Sequence, residues 1–207
     1  MINTRHHWFL FSFFEWYARI RIRCHFRSVH MIGELPNAHR PLLVIANHFS
    51  WWDGFFISWL NRRKFHKKFH LMMLEEQLNK NWFFRYTGVF PIRKNSKSAL
   101  RSLDYATELL RSPENMVVFF PQGKFESMYE QPLHFEKGLE WLIKNLKNEI
   151  RMVFVANQTE YFDSPAPRLF MHYKTYDYRG KRYREIEKDY QTFFAASYRE
   201  NLKIINQ

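Results

Sequence analysis

Three short runs carry almost no polar residue: LLVIA at 42–46, MVVFF at 116–120 and MVFVA at 152–156. Apolar runs of this length, closed by polar or turn-forming residues, read as buried strands. Segments of helical spacing lie between them. In SKSALRSLDYATELLRSPEN, Leu100, Leu103, Thr107 and Leu110 recur on one face until Pro113, and Ser96 or Ser98 can cap the start. KGLEWLIKNLKN sets Leu139, Leu142, Ile143 and Leu146 together in the same way. Shorter strands are expected in SVHMIGELPN, which closes in a turn at Pro36-Asn37, in HLMMLEEQ before a helical stretch, and in TGVFPIRK. PRLFMHYKTY, at 167–176, reads as extended. This alternation predicts an α/β fold: one domain with a mixed, mostly parallel sheet flanked by helices. Ligands of such sheets gather at strand ends, where the loops after Ile45, Ile92 and Phe120 can meet.

The first apolar run leads directly into NHFSWWDG, 47–54. Ser50 is a good N-cap, Asp53 falls in what would be the first turn, and a helix can run to about Leu60. A turn before that helix lets His48 fold back on Asp53. The carboxylate then fixes the imidazole tautomer and stabilises its protonated form, leaving the other ring nitrogen free to take a proton. The plainer reading is a structural histidine at a strand end, and the pair alone does not decide between them. No Gly-x-Ser-x-Gly elbow is present, and Cys24 is the lone cysteine, so no nucleophile stands out and an internal disulfide framework and a four-cysteine metal site are excluded.

Lys and Arg number 32 against 20 Asp and Glu, a net charge of +12 that favours an anionic partner. A nucleic-acid-binding module is one reading of that charge and of the 19% aromatic content, but no RNP, KH or zinc-finger pattern supports it. At the N-terminus an uncharged aromatic run, Trp8 to Phe14, ends at Glu15 and is followed by Arg19, Arg21 and Arg23. It is too short to span a bilayer and suits a helix lying in the headgroup layer. Residues 1–27 are therefore expected to form an aromatic and basic membrane-interface segment, with 28–207 as the folded domain. The alternative is a helix whose rings dock on the domain's own core. NRRKFHKKFH, 61–70, is either a solvated charged face or a second membrane contact. A peripheral or monotopic place on the cytoplasmic side of a membrane follows from these features.

Three segments, NHFSWWDG, GVFPIRKN and FFPQGKFES, resemble in order and spacing the successive motifs of the glycerolipid acyltransferase superfamily, which includes 1-acylglycerol-3-phosphate acyltransferases. Asn47, His48 and Asp53 match its Asn-His-x-x-x-x-Asp signature, with Ser50 at a familiar position. Ile92 and Arg93 are similar to its Gly-x-x-x-Ile-x-Arg segment, with Arg93 one residue early. Phe120, Pro121 and Gly123 are similar to its Phe-Pro-Glu-Gly block, and FEKGLEWL to the helix start that follows. The resemblance covers about residues 28–160. It implies transfer of a fatty acyl group from an acyl-CoA or acyl carrier protein thioester to a hydroxyl, less readily an amine, of a membrane-lipid acceptor, without metal or other cofactor and without nucleic acid. His48 would be general base and Asp53 its orienter. Asn47, Ser50, Arg93, Pro121, Gln122, Gly123 and Lys124 would bind substrate, with backbone N–H groups around Gly123 facing the developing oxyanion. Gln122 stands in the place of the usual Glu, Phe125 in that of the usual Arg, and MVFVANQTEY lacks the family's Val-Pro-Val proline. These departures weaken the case for a phosphate-bearing acceptor and leave a degenerate lipid-binding relative as the alternative.

Overall fold

The computed structural model describes residues 4–34, 39–93 and 97–205. Seven strands form one sheet: β1 (Ser28–Glu34), β2 (Leu42–Ala46), β3 (Lys68–Leu74), β4 (Val89–Ile92), β5 (Asn115–Phe119), β6 (Arg151–Glu160) and β7 (Arg168–Tyr176). Their spatial order is β1-β7-β6-β2-β5-β3-β4. Every pairing is parallel except β6 with β7. That exception has a local cause, since only seven residues separate β6 from β7 and a parallel return needs a longer crossover. The α/β architecture with a mixed, mostly parallel sheet is thus the one the sequence predicts.

Among the described residues six α-helices accompany the sheet: α1 (Trp8–His25), α2 (Asp53–Leu60), α3 (Glu75–Lys80), α4 (Lys97–Leu109), α5 (Gly138–Lys144) and α6 (Tyr183–Ile205). Alternation along β2 divides the core in two. Leu42, Val44 and Ala46 pack with Ile22 of α1 and with Phe56, Ile57 and Leu60 of α2. Leu43 and Ile45 face the other way, toward Leu103 and Ala106 of α4, Leu139 and Leu142 of α5, and Ile186 and Tyr190 of α6. All five β2 side chains are buried because both faces are covered, which is why the segment lacks polar alternation.

Several boundaries differ from the sequence reading. Helix α2 starts at Asp53 without a side-chain cap, so Ser50 is not its N-cap. Its hydroxyl instead accepts the Trp52 N–H at 3.1 Å inside the preceding turn. Helix α5 ends at Lys144 and leaves Leu146 outside it. Ser98 lies within α4, whereas the Pro36-Asn37 turn and Ser96 fall outside the described residues. The long helix α6 has no counterpart in the sequence reading.

Helix α1 does two things at once. Ala18 and Ile22 are buried and Phe11 packs on the core, whereas Trp8, Phe9, Phe13 and Trp16 are exposed on its outer side. Glu15 turns inward, where the Ser58 hydroxyl of α2 and the Arg62 guanidinium just beyond it meet its carboxylate. Burial raises its pKa against the pull of those two partners. No helix among the described residues is long and apolar enough to cross a membrane.

Candidate active site at the end of β2

Asn47 follows the last residue of β2 and closes the strand with its side chain. Its Nδ2 donates to the Asn157 carbonyl at 2.8 Å and its Oδ1 accepts the Asn157 N–H at 2.8 Å, so the amide extends the β2–β6 ladder by one step. The Tyr190 hydroxyl of α6 donates to the Val155 carbonyl beside this clasp at 2.7 Å. The next residue, His48, leaves the sheet from a fixed point. Its N–H donates to Gln122 Oε1 at 2.6 Å, and its carbonyl accepts the Glu126 N–H at 2.9 Å. The loop after β5 therefore grips the His48 backbone from both sides.

The imidazole is held as firmly as its backbone. His48 Nδ1 lies 2.8 Å from Asp53 Oδ2. A carboxylate oxygen accepts, so Nδ1 carries the proton and the neutral ring has its lone pair on Nε2. Among the described residues no hydrogen bond reaches Nε2. Phe120 stacks on the ring with centroids 4.2 Å apart and planes 8° from parallel, and Phe125 lies against it at 4.1 Å.

Asp53 Oδ2 also accepts the N–H groups of Phe49 and Ser50, at 2.8 and 2.9 Å. One oxygen thus folds the turn and orients the histidine, while the buried Oδ1 has no hydrogen-bond partner. Burial raises the Asp53 pKa, opposed by the hydrogen bonds from His48, Ser50 and Phe49. Gln122, itself buried, donates from Nε2 to Glu126 Oε2 at 2.7 Å, and Lys124 Nζ meets Glu126 Oε1 at 3.0 Å. Burial opposes the Glu126 charge, but these two donors outweigh it and hold its carboxyl below the usual range.

A cavity of about 460 Å³ is lined by His48, by residues of β3 and β4, and by α1. That size is typical of small-molecule pockets. Its walls are largely apolar, from Phe120 and Trp51 near the histidine, past Leu71 and Phe84, to Phe11 and Phe14 at the far end. Gly54 and Leu71 pack side by side in this wall, where a Cβ on Gly54 would stand 3.1 Å from Leu71 Cδ2.

Of the residues singled out from sequence, His48, Pro121, Gly123 and Lys124 line this cavity. Asn47, Asp53 and Gln122 stand behind the histidine and position it. Ser50 belongs to the turn. Arg93 is held by Glu75 through both Nε and Nη2, the latter at 3.0 Å, and does not line the cavity. Gly123, at φ 65°, makes the tight turn that only glycine adopts easily, with its N–H bonded to the Phe120 carbonyl at 3.1 Å. The two tryptophans divide as well: Trp51 is half exposed at the cavity wall, and Trp52 packs against the core. Sequence reasoning missed Glu126, Asn157 and Tyr190. The one available signal was a Glu four residues after a Gln in a Gly turn; Asn157 and Tyr190 join the site only through the sheet and α6.

A 1-acyl-sn-glycerol-3-phosphate acyltransferase of Streptococcus pneumoniae (strain ATCC BAA-255 / R6) is 26% identical over 102 residues, 47% of this chain. The aligned stretch spans 37% of that protein's length. Residues 26–150, more than half of the chain, match the Acyltransferase family and take in β1 to β5, the His48 turn and the loop that grips it. With the match falling on the elements that carry the histidine, the aspartate and the cavity, the chain belongs to the Acyltransferase family.

Proposed function

We propose that the protein transfers a fatty acyl group from a thioester, acyl-CoA or acyl carrier protein, to a hydroxyl of a lipid acceptor, as a lysophospholipid-type O-acyltransferase. The carrying observation is His48: Nδ1 engaged by Asp53 and Nε2 without a partner among the described residues, in the wall of an apolar cavity. In this reading the acyl chain lies in the cavity and its thioester carbonyl beside the imidazole. Nε2 takes the acceptor hydroxyl proton as the oxygen attacks the carbonyl carbon, and Asp53 stabilises the imidazolium that forms. As the tetrahedral adduct collapses, the C–S bond breaks and the thiolate leaves with the proton from Nε2. Because the Gly123 N–H is engaged in its turn, the N–H groups of Lys124 and Phe125, unbonded among the described residues, are the donors left for the oxyanion.

The same reading sets the protein on a membrane surface. Exposed Trp8, Phe9, Phe13 and Trp16 would enter the headgroup layer of the cytoplasmic leaflet, and the net charge of +12 would hold anionic lipid. His48→Ala is expected to lower acyl transfer by about 10² to 10⁴-fold and the thermal midpoint by no more than several degrees, as Asp53 keeps two backbone donors. Full activity in a folded His48→Ala protein would refute the proposal.

A further inference from the structure

Resting on that reading, we propose that the acceptor is a hydroxyl amphiphile whose head carries no net negative charge, such as a monoacylglycerol, rather than a phosphomonoester. Among the described residues Lys124 is the one Lys or Arg that lines the cavity. It is already paired, 3.0 Å from Glu126. The Glu126 partnership, joined by the nearby carboxylates of Glu130 and Glu136, raises its pKa, and Glu136 itself lines the cavity. Arg93, beyond the cavity, is held by Glu75. On a chain with a net charge of +12, carboxylates among the described residues thus balance or outnumber cations around the cavity.

The rings agree with the charges. Phe125 and Phe120 flank the imidazole, so a hydroxyl approaching Nε2 passes between apolar walls. A phosphomonoester carries about −1.5 to −2 at neutral pH and needs charge-assisted donors to replace its water. Here it would face Glu136 and a lysine already engaged. A neutral glycerol head gives up far less hydration, and its remaining hydroxyl can donate to a carboxylate.

The test presents monoacylglycerol, lysophosphatidylcholine and lysophosphatidic acid, of one acyl chain, to the full chain in neutral-detergent micelles at fixed ionic strength, with acyl-CoA and acyl carrier protein donors. An excess of neutral detergent and high, constant salt screen the general pull of the net charge on anionic lipid. Monoacylglycerol is expected to show a kcat/KM above that of lysophosphatidic acid by about tenfold or more, what one missing charge-assisted hydrogen bond is worth. Phe125→Arg is expected to narrow or invert that ratio. A parent enzyme that prefers lysophosphatidic acid would overturn the acceptor assignment and leave acyl transfer standing. If no acceptor is acylated, the reading under Proposed function fails, and quenching of tryptophan fluorescence by each acceptor still decides this one. Tighter binding of monoacylglycerol, reversed by Phe125→Arg, supports it; tighter binding of lysophosphatidic acid overturns it.

Discussion

Asp53→Asn separates the two jobs of one carboxylate. Three N–H groups converge on Oδ2, from His48 Nδ1, Phe49 and Ser50, while Oδ1 is buried without a partner. An asparagine can keep its oxygen where Oδ2 stands, so the turn survives. Its NH₂ then occupies the place of Oδ1 and becomes a buried donor without an acceptor, a cost of about 1–3 kcal/mol. Loss of a charge from a fully buried site offsets part of this. In a chain of this size each kcal/mol moves the thermal midpoint by about 2–4 °C, so a drop of a few degrees is expected. The rate should respond far more, because the imidazolium loses its counter-charge: kcat falls by roughly 10² to 10⁴-fold with KM little changed. Thiol release under saturating donor gives kcat, and thermal denaturation gives the midpoint. A lowered midpoint with wild-type kcat would refute the reasoning and leave Asp53 as a cap for the turn alone.

Gly54→Val adds bulk to the cavity wall beside Leu71 and should lower kcat/KM for long-chain donors relative to short ones by about tenfold; an unchanged chain-length profile would show that the acyl chain runs elsewhere. Burial, with a smaller contribution from the neighbouring His6, pushes His70 down to about 4 from 6.5. The unfolded chain therefore takes up the proton first, and stability present above about pH 6.5 is lost as pH falls toward 4, by about 3 kcal/mol in total. Denaturant titrations across that range should give a flatter profile for His70→Leu than for the parent, and equal slopes would count against it. Trp8→Ala with Trp16→Ala, at positions 78% and 58% exposed, should weaken sedimentation with anionic vesicles by roughly tenfold without moving the thermal midpoint.

The buried strands were plain in the sequence because β2 and β5 are covered on both faces and admit few polar residues. His48 and Asp53 were legible together because five positions of chain suffice to bring them together through a turn whose bonds are all local. Helix α6 was not legible. It is rich in charge and aromatic residues, and the inner face that holds Ile186 and Tyr190 acquires its meaning only from the sheet it covers.

What the chain alone determined is therefore the local chemistry: which strand ends in a histidine, and which carboxylate follows it by one turn. Tertiary structure decided what surrounds them. Gln122 and Glu126 hold the His48 backbone from 74 and 78 positions away, and Asn157 closes Asn47 from 110 positions away. The cavity joins side chains of α1 to the loop after β5. The neutralisation of Lys124 and Arg93 by carboxylates depends on where loops and strand ends come to rest. Hydrogen bonds and ion pairs act over a few ångströms, and the separation of their partners along the chain gives no local pattern from which to foresee them.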